Sequence, residues 1–583
     1  MMANFNMYPE ILVSNSNDHA WQDYGNIKNE LNRAINRLGK QKTIVTIDCY
    51  PGVKMEELKA NLVSVMEPAY AFFADDLYYS SDKVTDMIKF HLTTDRVFGK
   101  MSLHNFGDFL DDERLKEARS AINNIDSGLI IIYGSGATLV CDPDILIYAD
   151  LARWEIQKRY SNNEISNWRV DNRNEDAVRK IKRGYFFEWP VADRHKRKLF
   201  EKIDYLLDTN CSNEPKLVEG ATYLAGLKQT VSQPFRVVPY FAPGVWGGQW
   251  MKEKLGLDPS VENYAWSFNG VPEENSLFLR YGDVKIEVPA INAVFRHPVD
   301  LLGEKVYGRF GAEFPIRFNF LDTFGGGNLS LQVHPLVDCA RQTFGVHYTQ
   351  DESYYIVDAE DDAIVYLGVK DDIDSSEMIR DLKQSYDEGS KFDDQKYINQ
   401  FPAKKHDHFL IPAGTIHSQG KDSLVLEISA TPNYFTFKLW DWGRLGMDGM
   451  PRPVHLEHGI NSIQWERDEK WVSENIINCL EQIGEGDGWI EEKTGLHDRQ
   501  FIETRRHWFS RPVIHNTDGG VNVLNLIEGE EAIVESPTNA FEPFVVHYAE
   551  TFIIPAMVGS YSIRPHGNSV GREIGTIKAY VRT

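Results

Sequence analysis

Gln332-Val333-His334 places an amide and an imidazole two residues apart, and on a β-strand that spacing turns both side chains to one face. Glu352 opens the strand-like run ESYYIVDA, and His417 ends IPAGTIH, a proline-glycine turn between apolar runs. One amide oxygen, two imidazoles and one carboxylate make a mixed N/O donor set suited to Zn²⁺ or another divalent transition metal, with a position left for water or substrate. The competing reading is that these are polar residues of separate, half-exposed strands.

The elements that must position them are β-strands. From Val237 onward the sequence runs through FPIRFNFLD, LSLQVHP, ESYYIVDA, AIVYLGV, HFLIPAGTIH and SLVLEIS, β-branched and aromatic stretches bounded by Gly, Pro and Asp. Helices are expected at SSEMIRDLKQSYDEG and across DEKWVSENIINCLEQIG. After about Phe501 a further β-rich block ends in ETFIIPAMVGSYSIRP, an echo of HDHFLIPAGTIHSQG that suggests two barrels in tandem. The copy has Val558 to Ser560 where His417 would fall, so only the first barrel can hold a metal through that strand.

LSLQVHP, the glutamate before YYIVDA, IPAGTIH, LEIS and YFTFKLWDWGR, preceded by PYFAPGVWGG, occur in the order found in class I mannose-6-phosphate isomerases, and the chain resembles that family from Val237 to Thr583. The resemblance implies all-β cupin domains (double-stranded β-helices) with helical inserts, metal binding by Gln332, His334, Glu352 and His417, and interconversion of mannose 6-phosphate and fructose 6-phosphate. Moving a proton between C1 and C2 passes through an enediol whose developing charge a cation stabilises.

Glu427 in LVLEIS aligns with a family glutamate that is either the base or a residue orienting a metal ligand, and Ser330 with a serine near the substrate phosphate. Three family cations are replaced here, by Asn319, Gln350 and Lys438. Arg317, two residues before Asn319, Arg444 in DWGR and His347 are candidates to compensate. The departures leave two alternatives: an isomerase of a different sugar, or a sugar-binding or regulatory cupin without catalysis.

Between Lys42 and about Gly220 apolar runs alternate with amphipathic ones, as expected of a parallel α/β domain. TIVTIDCYPGVKMEEL looks like a worn nucleoside-kinase P-loop: Gly52 precedes Lys54, but Met55 stands where a Mg²⁺-holding hydroxyl belongs. Gly134 to Ala137 form a second glycine-rich turn. The sequence therefore divides into an α/β domain over 1–230, a metal-binding cupin over 231–467, and a helical linker with a C-terminal cupin-like domain over 468–583.

With 583 residues, several domains are expected. A net charge of −24 disfavours nucleic acid and anionic lipid as partners and requires a locally cationic site for any anionic substrate, here a small sugar phosphate. The absence of a signal-like N-terminus or a long apolar run points to a cytoplasmic protein. The five scattered cysteines include no C-x-x-C pair and are expected to be mostly buried thiols. Nothing in the pattern fixes the oligomeric state.

Overall fold

The computed structural model describes residues 4–495, 497 and 500–583, and the chain forms two units. An α/β unit comprises Glu10–Thr230 with Glu273–Arg296. A β unit comprises Val231–Pro272 and His297–Thr583 with the N-terminal stretch up to Pro9.

In the α/β unit a seven-stranded sheet runs in the order Ala20–Gln22, Lys216–Glu219, Tyr205–Asp208, Ile145–Asp150, Lys42–Cys49, Gly128–Gly134, Tyr70–Phe73. The last five are parallel and the first two pair antiparallel. Strands covered on both faces need continuous apolar runs, which is how GLIIIYG and TIVTIDC read. A hairpin of Ser276–Tyr281 and Val284–Pro289 and the helix Ile291–Arg296 complete the unit from later in the chain. Around Lys54 a strand, a turn and a helix form, but the regular helix lasts only from Met55 to Leu58 before it widens. Lys54 Nζ donates to Glu164 (2.6 Å) and Ser212 (2.7 Å), so its ammonium is held by an ion pair.

The β unit holds two sandwiches. In the first, six- and five-stranded antiparallel sheets close over one core in which Leu321, Tyr354, Phe409 and Val425 of one meet Val365 and Leu367 of the other. Six of its strands carry the site: β1 (Ile316–Asp322), β2 (Leu331–Val333), β3 (Glu352–Ala359), β4 (His417–Gln419), β5 (Ser423–Ala430) and β6 (Phe437–Trp440). β3 and β1 flank β5 in the larger sheet, while β4 and β6 flank β2 in the smaller. The second sandwich pairs six- and four-stranded sheets over Phe509, Leu524, Val534, Phe552 and Ile563. The two Ile-Pro-Ala segments take the same strand–turn–strand path, His408–Ile411 into β4 and Thr551–Ile554 into Ser560–Pro565.

The polar insert is a helix, Ser375–Glu388, capped by the Asp374 side chain. The second predicted helix is corrected: only Glu469–Asn475 is helical, and Glu481–Gly486 is a strand paired with Trp489–Gly495. Asp487-Gly488, with Gly488 at φ 79°, is a hairpin turn, and pairing across it outweighs the helical periodicity of EQIG. The cysteine expectation is also corrected: Cys49 is buried, Cys141 and Cys339 are partly exposed, and Cys211 and Cys479 are exposed. No helix among the described residues is long and apolar enough to cross a membrane.

Candidate metal centre

Gln332 and His417 are directly opposite each other where β2 and β4 pair. His334 lies just beyond β2 on the same face, and Glu352 enters from β3 in the facing sheet. His334 Nε2 is 3.1 Å from Glu352 Oε2, and His417 Nε2 is 2.9 Å from Oε1. Donor atoms of the three residues fall within 4.8 Å of one another, and all three side chains are buried.

The imidazoles are fixed by backbone carbonyls. His334 Nδ1 is 3.3 Å from Phe435 O and His417 Nδ1 is 2.9 Å from Thr415 O, so Nδ1 donates in each ring and the bare Nε2 is left facing the carboxylate. Lone pairs turned onto a carboxylate repel unless a proton or a metal cation lies between them. His334 Nε2 and Glu352 Oε1 have no hydrogen-bond partner. These orphaned atoms fit a divalent cation. Burial opposes charge on Glu352, yet the two imidazoles, when protonated at Nε2 in place of a cation, outweigh it and hold its carboxyl well below the usual range. At His334 burial is likewise overcome by the Glu352 carboxylate, which raises the imidazole.

Gln332 Nε2 is 3.2 Å from His417 Nε2, and its Oε1 accepts from the Ser330 hydroxyl at 2.9 Å. With the amide turned over, Oε1 would face the cluster and Ser330 would accept from the amide N–H₂, since a hydroxyl serves in both senses. Ser330 thus orients Gln332.

The turn before His417 is braced. Gly414, at φ 87°, has no room for a Cβ, which would stand 2.9 Å from Ser462 O. Arg467 donates to Pro412 O (2.7 Å) and Ala413 O (2.8 Å) and also to the Thr415 hydroxyl. Sequence reasoning did not single out Arg467, because an isolated arginine in QWERDEK belongs to no motif.

Glu427, on β5 between Asn319 of β1 and Tyr354 of β3, adjoins the cluster through Gln350. Gln350 Nε2 donates to Glu352 Oε2 (2.9 Å) and to Glu427 Oε1 (3.4 Å). Asn319 Nδ2 (3.3 Å), Arg317 (3.4 Å) and the Ser429 hydroxyl (2.9 Å) also donate to Glu427. Two of the three positions where cations were expected therefore supply neutral amide N–H groups. Burial first, then the Glu352 charge, push the Glu427 carboxyl up, against the pull of Arg317.

The remaining candidates are dispersed. Lys438 is half-buried on β6 opposite Gln332. The guanidinium of Arg444 bonds Asp441, which also holds Arg452. His347 is exposed, whereas Gln350 is buried, so it does not take the place of the missing lysine beside the cluster.

Residues 23–232 match a family described as "Domain of unknown function (DUF8485)". GmuF of Bacillus subtilis (strain 168), named a probable mannose-6-phosphate isomerase, is 25% identical over 235 residues, 40% of this chain and 69% of the relative. Mannose-6-phosphate isomerase ManA of the same organism is 25% identical over 239 residues, again 40% of this chain and 69% of the relative. The solved mannose 6-phosphate isomerase of Bacillus subtilis matches 60% of this chain and 100% of its own at 18% identity, with a TM-score of 0.48. Over about 40% of its length, the chain is homologous to mannose-6-phosphate isomerases.

Proposed function

We propose that this protein is a metal-dependent aldose–ketose isomerase that interconverts mannose 6-phosphate and fructose 6-phosphate by proton transfer through an enediol. The observation that carries the reading is the convergence of two bare imidazole Nε2 atoms on Glu352, beside Gln332, in a chain whose relatives carry that activity in their names. Gln332, His334, Glu352 and His417 would hold Zn²⁺ or a similar divalent ion. Such an ion, when bound, supplies positive charge that lowers the cost of negative charge on an enediol oxygen.

Glu427 is the group proposed to move the proton. It is buried yet linked to the ligand set through Gln350, and burial beside the Glu352 carboxylate favours its neutral form against the pull of Arg317, which suits a group that takes up and releases a proton. Lys438 and Ser330 border the same edge and are proposed to meet the sugar phosphate. The division read from the sequence puts this chemistry in 231–467, followed by a helical linker and C-terminal cupin-like domain over 468–583, and leaves the α/β domain over 1–230 a structural or regulatory role, in a protein proposed to work in the cytoplasm.

A second reading is favoured by the fate of the arginines. Arg317 is tied to Glu427 and Arg444 to Asp441, so neither stands free for a phosphate. The same chemistry on an unphosphorylated sugar fits that arrangement.

The test is isomerisation by zinc-reconstituted protein, with mannose 6-phosphate and mannose as parallel substrates and His334→Ala as control. Turnover of the phosphorylated sugar, lost in the control, supports the first reading. Turnover of mannose alone supports the second. A metal-loaded protein that turns over neither refutes both and leaves a binding role.

A further inference from the structure

Strand Lys42–Cys49 of the α/β unit lies between Gly128–Gly134 and Ile145–Asp150. The chain leaves it toward Tyr70–Phe73 on one side and later crosses to Ile145–Asp150 on the other. Where connections part in this way, a crevice opens at the carboxyl ends of the strands, the general location of ligands in open α/β sheets.

Asp48 stands at that end. Its buried carboxylate accepts from Gly136 N (3.2 Å), Thr138 N (3.0 Å) and the Thr138 hydroxyl (2.7 Å), and lies 2.9 Å from His195 Nε2. Thr138 Oγ1 is itself 3.1 Å from the same nitrogen. His195 Nε2 is therefore spent on the protein, the ring is locked in place, and Nδ1 is the nitrogen left for another molecule.

His195 lines a cavity of about 450 Å³, within the range of small-molecule sites. Thr138, Asn105, Asp142, Lys198 and Lys202 also line it. Lys198 and Lys202 are exposed, and neither has a carboxylate partner among the described residues. Asp204, on the same wall, turns Oδ2 to Leu146 N at 2.7 Å. Two uncommitted ammonium groups suit a phosphate. The oriented imidazole and Asp142 suit hydroxyl groups.

We propose that this cavity is a second ligand site, taking a small phosphate ester that carries hydroxyl groups, with the phosphate on Lys198 and Lys202 and a hydroxyl on His195 Nδ1. The ester could be a sugar phosphate or a nucleotide, so both serve as probes. Fructose 6-phosphate, adenosine 5′-monophosphate and orthophosphate are titrated calorimetrically into the full chain, the Lys198→Ala/Lys202→Ala variant and His195→Asn.

At least one ester is expected to bind, and the double lysine variant, altered only at exposed positions, to weaken it at least about tenfold. His195→Asn is expected to weaken the ester while leaving orthophosphate unchanged. The proposal is overturned if no ester binds up to about 10 mM, corresponding to less than about 3 kcal/mol of affinity. It is equally overturned if the double variant binds every probe as the parent does, or if orthophosphate matches the esters.

Discussion

Arg317 is the cation that faces Glu427, and both are buried, at 4% and 6% exposure. At their 3.4 Å separation two unit charges in a medium of effective dielectric about 20 attract by about 5 kcal/mol. Desolvation offsets part of that attraction, and removing one member of a buried pair typically costs about 3 to 5 kcal/mol because the other charge is stranded. Arg317→Met is thus expected to lower the unfolding free energy by about 3 kcal/mol or more. Glu427→Gln should cost less, because its amide oxygen can still accept from Arg317, which softens the loss of the carboxylate charge. The double variant should then be more stable than Arg317→Met alone, since the stranded carboxylate is gone. Urea denaturation of the four proteins, followed by tryptophan fluorescence, closes the cycle. Additive losses, with no coupling between the substitutions beyond about 0.5 kcal/mol, would refute the claim that this pair is electrostatically engaged.

Elemental analysis should find one divalent ion per chain, lost on His334→Ala, and chelation should lower the melting temperature of the parent but not of that variant. Gly414→Ala should destabilise by about 2 kcal/mol and release the metal, because φ 87° and the Ser462 carbonyl leave no place for the methyl group; retention of full metal affinity would contradict this. Lys578 is 7% exposed in the C-terminal sandwich, and burial lowers its pKa to about 8, partly offset by Glu491. The folded state therefore binds fewer protons than the unfolded chain between about pH 8 and pH 10.4, so stability should rise with pH across that window. Lys578→Met should stabilise the protein at pH 7 and remove this rise; an unchanged pH profile in melting experiments would count against the buried ammonium.

Much of the geometry of the candidate centre was legible because strand geometry is local. The i, i+2 spacing of Gln332 and His334 needs only a strand, and Pro412 and Gly414 mark the turn that delivers His417. What surrounds them was not legible, since it depends on pairing over long sequence distances. Nothing near Gln350 in the sequence reveals that its amide spans Glu352 and Glu427, nor does the DWGR motif reveal that Arg444 would be held by Asp441. Backbone carbonyls that set imidazole tautomers, such as Phe435 O, have no sequence signature at all. The helix expected through Gly484 failed for a related reason: its amphipathic period was real, but an Asp-Gly turn offered the segment a strand partner that periodicity does not weigh.

The late segment Glu273–Arg296 carries a further consequence. Glu287 donates its N–H to Asp208 (2.8 Å), Asn210 donates to Glu287 O (3.0 Å), and Asn292 donates to Asp150 (2.8 Å) while accepting from Lys196 (3.1 Å). A ribosome that has released only the first 230 residues has therefore made a sheet whose carboxyl-end acids still lack these partners, and they arrive only after the first strands of the other unit have emerged. Synthesis order and folding order are interleaved, so cutting the gene at that point would yield an unfinished α/β half, and swapping it between relatives would require two exchanges rather than one.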